Sequence, residues 1–127
     1  MKYPVKYSRL YADAEGDSHF EDVEVPLAAS DYAPPAPPIN VSDPCPARQL
    51  IFLAVPPGWT GDWHPSPAKQ FMFFITGQLE IEASDGQVRV FSPGDIGLGE
   101  DVRGKGHRSR VVGNCDVSAV IVQMPDD

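Results

Sequence analysis

The sequence predicts an all-β protein, an antiparallel jelly-roll β-barrel, on three observations. Gln78–Ala83 alternates apolar and polar residues with a period of two, and each neighbouring apolar run is closed by Gly, Pro, Asp or Asn. No segment offers three turns of helical periodicity. With 127 residues the chain is one domain's worth and long enough to bury a core unaided.

The elements follow in order. Residues 1–38 carry two short β-prone pieces, Val5–Leu10 and Phe20–Leu27, which read as edge strands of an N-terminal arm. Tyr3, Tyr7 and Tyr11 of this arm are candidates to cover a cavity mouth or a second subunit. His19 reads as a turn histidine bonded to nearby backbone and takes no role. Pro34-Pro35-Ala36-Pro37-Pro38 fixes φ repeatedly and removes backbone donors, so an extended crossing is expected to end the arm at residue 38. Residues 39–127 then form the barrel domain, with strands at Gln49–Val55, Gln70–Thr76, Gln78–Ala83, Gln87–Phe91 and Val117–Gln123. Leu79, Ile81 and Ala83 share one face of their strand and Gln78, Glu80 and Glu82 the other, and Ser84-Asp85-Gly86 closes a hairpin into Gln87.

Composition narrows the functional classes. A net charge of −8 with scattered Lys and Arg repels a phosphate backbone, so no nucleic-acid partner is expected. The cations between Arg103 and Arg110 read as a solvated loop. No apolar run reaches bilayer length, so no membrane partner is expected. Cys45 and Cys115 fit no zinc spacing, and with no leader pattern the expected compartment is the cytoplasm, with both thiols reduced.

Two segments concentrate chemistry. Trp59–Gln70 and Pro93–His107 together hold both tryptophans and two of the three histidines. Residues two apart in a strand share a face, so Asp62 and His64 are expected to project together into the interior with Trp63 facing away. If Gln70 faces inward, it brings an amide oxygen to the same region, with Met72 and Phe74 continuing its face, and His107 arrives from a later strand. Phe52, Trp59, Trp63, Met72, Phe74 and Leu98 are candidates for an apolar lining, and an apolar cavity with a few convergent polar groups is what a small-molecule site requires. Two decoys fail. Gly99–Gly106 approximates a phosphate-binding loop but lacks its Ser/Thr and the following helix, and Ser66-Pro-Ala-Lys69 mimics a nucleophile pair without partner motifs.

Over residues 48–123 the pattern resembles the cupin family. The first cupin motif runs Gly, His-x-His, then Glu, with a Gly seven residues beyond; here His64 stands at the second His, Gln70 at the Glu, and Gly77 falls seven after Gln70. The second motif, a turn followed by His, is matched by Ser92-Pro93-Gly94-Asp95 and His107. Asp62 stands where the family has its first His, Gln70 where it has Glu, and no Asn follows His107. The resemblance implies a small-molecule ligand and a divalent metal (Fe, Mn, Ni or Zn) held by His64, Gln70, His107 and Asp62. Exchanging His for Asp and Glu for Gln keeps the formal charge of such a four-group site. His64 and His107 are the candidate catalytic residues, and Gln70, Asp62, Trp63, Met72 and Phe74 the candidate ligand-binding residues. The family's activities include dioxygenases, isomerases and lyases, so one expectation is a metal-dependent enzyme. The others are a metal-free enzyme, with a histidine base oriented by Asp62, and a non-catalytic ligand sensor. Family members pair through sheet faces or exchanged N-terminal strands, which implies a homodimer.

Overall fold

The computed structural model describes residues 5–125, and all of the regular structure in that span is β. Twelve strands follow in chain order: β1 (Lys6–Ala12), β2 (Ser18–Glu24), β3 (Ala28–Ser30), β4 (Ile39–Val41), β5 (Gln49–Val55), β6 (Thr60–His64), β7 (Gln70–Thr76), β8 (Gln78–Ala83), β9 (Val88–Phe91), β10 (Ile96–Gly99), β11 (His107–Val112) and β12 (Val117–Gln123). Six form one sheet in the order β2-β1-β10-β7-β12-β5, and four form a second in the order β6-β11-β8-β9. All pairings are antiparallel except β1 with β10. The two sheets stack as a jelly-roll-like sandwich. They are not closed into a barrel by edge hydrogen bonds, because period-two patterning sets which face is buried and leaves open which edges pair.

Alternation builds the core. In β12, Val117, Ala119, Ile121 and Gln123 are buried while the residues between them are not. In β8, Leu79, Ile81 and Ala83 point in, and Glu80 and Glu82 point out to meet Arg110 and Arg108 across the β11 register. With Leu10, Phe20, Phe74, Phe91 and Val111 these inward residues fill the space between the sheets. Each large side chain so buried contributes roughly 1.5–3 kcal/mol. The β7–β8 turn depends on Gly77, whose φ is +72° and whose added Cβ would overlap the Asp116 carbonyl oxygen.

The expected division at residue 38 is corrected. β1 and β2 belong to the large sheet, and the boundary falls inside the small β3–β4 hairpin, which exchanges backbone bonds only within itself. The proline run is the turn of that hairpin instead of an extended crossing: the Pro34–Pro35 peptide is cis and the Ala36 N–H returns to the Ala33 carbonyl, a turn that prolines in the central positions favour. Tyr3 lies outside the described residues. Tyr7 packs edge-on against Phe71 at 5.1 Å on the outer face of the large sheet, and Tyr11 lies beside His19.

Candidate functional site

β6 and β11 pair with His64 opposite His107, and the two imidazole rings sit 4.8 Å apart. His107 Nδ1 lies 2.6 Å from Asp101 Oδ2, whose side chain is fully buried. The second carboxylate oxygen accepts a 2.7 Å bond from the Ser66 hydroxyl, and Ser66 N–H donates to the Asp101 carbonyl. A carboxylate out of water is retained only when its oxygens are bonded. Here both are, and one bond holds the His107 proton on Nδ1. His64 Nδ1 in turn lies 2.8 Å from the Asp62 carbonyl oxygen, an acceptor only, so it too carries its proton there. Both rings therefore keep Nε2 as the atom left for a ligand.

The loop bearing His107 is pinned from two sides. Gly106, at φ +73°, lies so close to the His64 backbone that an added Cβ would overlap that carbonyl group. Its own carbonyl accepts from the Ser18 hydroxyl in the β1–β2 hairpin, and Ser18 also exchanges bonds with Ser84.

Between the sheets a cavity of about 290 Å³ is lined by His64, Ser66, Gln70 and His107 on its polar side, and by Leu53, Val55, Trp59, Met72 and Ile121 among its apolar walls. A smaller space of about 60 Å³ continues past Ser66, Gln70, Met72 and His107 toward Phe74, Phe91 and Leu98. The larger is at the low end of small-molecule pockets and holds about ten waters' volume. A bigger space of about 550 Å³ lies on the outer face of the small sheet among Asp62, Glu80, Glu82, Arg108 and Arg110. Its walls are exposed ion pairs, which water screens, so it is not the better ligand site.

Of the expected site residues, His64, His107, Gln70 and Met72 meet at the cavity, and Phe74 lies at its inner end, 2% exposed and stacked on Phe91. Asp62 and Trp63 do not meet there. β6 carries a bulge, with His64 opposite His107 but Gly61 opposite Ser109, and the extra residue reverses the alternation. Asp62 accordingly lines the outer groove, its Oδ1 accepting the Trp63 N–H, and the Trp63 ring lies under Arg108 on the outside. Phe52, expected in the lining, is 80% exposed on the far side of β5, where Leu53 takes the inward position. The carboxylate that bonds a cavity histidine is Asp101, not the expected Asp62.

The four groups expected to hold a metal are not assembled. Asp62 points outward, and Gln70 Oε1 already accepts a 3.0 Å bond from Gln123 Nε2. The described residues contain no cluster of three or more His, Cys, Asp or Glu able to hold an ion. The residues present therefore do not fit that ligand set, and what remains is a pair of imidazoles.

His19 also departs from expectation. It bridges carboxylates in place of backbone, with Asp13 at 2.6 Å and Asp85 at 2.9 Å. Its bond to Asp13, then that to Asp85, raises its pKa above the usual histidine value, and the same bond lowers that of Asp13. Lys105, then Ser84, similarly lowers Asp17. These contacts tie the β1–β2 turn to the loops beside His107.

No family model matches the chain, and no curated protein matches it. Among solved structures, a Neisseria meningitidis protein is 18% identical over 60% of this chain and 74% of its own, with a TM-score of 0.45. A conserved Streptococcus pyogenes protein of unknown function is 19% identical over 63% and 69%, with a TM-score of 0.49. A candidate ethanolamine utilization protein Q from Salmonella typhimurium is 14% identical over 98% and 99%, with a TM-score of 0.40. At these scores the likenesses carry no argument about function.

Proposed function

We propose that this is a cupin-like protein that binds a small organic molecule in the cavity between its sheets, with His107 as a general base for proton transfer. One observation carries the reading: a fully buried carboxylate, Asp101, bonds His107 Nδ1 and so leaves Nε2 as a proton acceptor in an apolar cavity. A base oriented by a third group, within reach of a bound molecule, is the arrangement that proton abstraction uses. His64, at the rim and in ring contact with His107, is the second acceptor. Met72 and Ile121 hold the ligand's apolar body.

The test is a titration with small hydroxy acids and hydroxyketones, followed by the Met72 methyl resonance, with deuterium incorporation beside the carbonyl as the assay of turnover. Binders that shift Met72 and exchange deuterium in the wild type but not in His107→Gln support the enzyme. Binding without exchange makes the protein a ligand sensor. Binders that leave Met72 unmoved overturn the site.

A divalent ion (Fe, Mn, Ni or Zn) on the two imidazoles is a second reading, because Nδ1–H pinned on an acceptor is also how metal-bound histidines are oriented. Elemental analysis of untagged protein decides it: stoichiometric metal lost in both His64→Ala and His107→Ala supports the ion, and its retention in either refutes it. The partner surface we favour is a second copy of this chain. Leu50, Phe52 and Ile75 are 56%, 80% and 54% exposed on the outer face of the large sheet. They adjoin an apolar groove of about 520 Å³ walled by Tyr7, Phe71, Phe73 and Val122, and apolar self-complementary faces suit a two-fold contact. Exposed, unpaired Cys45 and Cys115 support a reducing, cytosolic compartment. The acidic balance argues against nucleic acid, and no described helix is long and apolar enough to cross a membrane.

A further inference from the structure

Three glutamines lie side by side across the large sheet: Gln49 on β5, Gln123 on β12 and Gln70 on β7 are register partners. Gln123 Oε1 accepts from the Gln49 amide and from Arg48 Nη2 at 3.0 Å, and Gln123 Nε2 donates to Gln70 Oε1 at 3.0 Å. An amide alone is symmetric enough to sit either way round, but a guanidinium can only donate. Arg48 therefore fixes Gln123 with its oxygen outward and its nitrogen toward Gln70. Gln70 must answer with its oxygen. Its own Nε2 has no partner among the described residues, yet no buried side-chain polar atom there goes unpaired, so this NH₂ faces open space at the cavity Gln70 lines.

From this relay, and on the reading that the cavity binds a ligand, we infer that Gln70 recognises an oxygen acceptor, and that the ligand is a small carboxylate with an apolar body. Arg48 and Gln123 are positioning residues, and Gln70 is the residue that touches the ligand. The amides align head to tail from a cation, which polarises the terminal NH₂ and favours an anionic acceptor over a neutral one. The imidazole Nε2 atoms are acceptors, so the ligand's complementary group is a hydroxyl, which donates to Nε2. The result is a site that asks for a hydroxy acid.

Gln123→Glu tests this. A carboxylate at 123 accepts from Arg48 and has nothing to donate, so Gln70 must turn its NH₂ toward the new carboxylate and present its oxygen to the cavity. The probes are 2-hydroxy-3-methylbutanoate, the matched ketone 3-hydroxy-4-methylpentan-2-one, and the matched amine 1-amino-3-methylbutan-2-ol. Wild type is expected to bind the acid most tightly and the amine most weakly. In Gln123→Glu both acid and ketone should weaken about tenfold or more, the loss of one directed hydrogen bond, while the amine gains. Weakening of the acid alone, with the ketone unchanged, marks a general charge effect and overturns the relay. Arg48→Met, an exposed change that leaves the core intact, should randomise the amide and weaken the acid severalfold. Unchanged acid affinity in Arg48→Met also overturns it.

Amide NMR separates the two layers of the claim. In the wild type, Gln70 Hε2 protons should show Overhauser contacts to the Met72 methyl and the His107 ring, and lose them in Gln123→Glu. If those contacts run to Gln123 in the wild type, the relay is refuted whatever binds. If the relay holds and none of the three probes binds, the hydroxy-acid assignment is refuted; the cavity as a ligand site falls separately, if no binder in the wider titration shifts the Met72 methyl.

Discussion

Ser66→Ala removes the hydroxyl that donates 2.7 Å to Asp101 Oδ1 and leaves one oxygen of a fully buried carboxylate without a partner. A hydrogen bond to a charged group is worth about 1.5–3 kcal/mol. Unfolding entropy near 2.1 cal/mol/K per residue gives about 0.27 kcal/mol/K for 127 residues, so a loss of about 2 kcal/mol lowers the Tm by about 7 °C. Gly99→Ala reaches the same bond by another route, because its Cβ would stand 2.6 Å from Ser66 Oγ and displace it. In the Ser66→Ala background that clash disappears, and the nearest contact of the methyl added at position 99 is the residue-66 Cβ at 3.4 Å. The double mutant should therefore be less destabilised than the two single losses added. Urea unfolding followed by tryptophan fluorescence measures all three. A Ser66→Ala loss below about 0.5 kcal/mol, the range of a neutral surface change, or strict additivity in the cycle, would refute the picture of Asp101 as a charge locked between Ser66 and His107.

Other consequences are independent of the ligand. His19 has its pKa raised in the folded state by Asp13 and Asp85, so its stabilisation is complete below the unfolded value of about 6.5 and is lost as pH rises through the folded value. The stability difference between wild type and His19→Gln should therefore shrink on going from about pH 6 to about pH 9, and a constant difference would contradict the clamp. Gly61→Ala places a Cβ 2.7 Å from the Trp59 ring, which lines the cavity. It should cost about 1–3 kcal/mol and shift the tryptophan emission, and unaltered emission would show that the ring is not held there. Phe52→Glu should leave the fold intact and reduce the light-scattering mass of a dimer to that of one chain; an unchanged dimer mass would place the partner surface elsewhere.

The strands were legible because their signal is local. β12 alternates without interruption, and β8 places three apolar residues on one face, so the observed bounds follow the pattern closely. His64, Gln70 and His107 line one cavity, and what groups them in the sequence is the resemblance to the cupin motifs, aligned by Gly77 and Ser92–Asp95, more than strand periodicity. Asp62 failed because a bulge adds one residue to β6, and a period-two rule has no means of seeing an insertion that depends on the partner strand. Asp101 and Ser66 lie inside the two segments that the sequence reading sets aside as decoys. Their importance comes from a bond spanning 35 positions of sequence, which no local pattern carries. In sequence Gln123 is only the last residue of the strand expected at Val117–Gln123, and the register beside Gln49 and Gln70 gives it a role.

The most direct test of the account is the tautomer of the two cavity histidines, read from the ring nitrogens by long-range ¹H–¹⁵N correlation. The Asp101 carboxylate and the Asp62 carbonyl predict that His107 and His64 both carry the proton on Nδ1, with Nε2 resonating as a bare acceptor. A His107 proton found on Nε2 would contradict the proposed base.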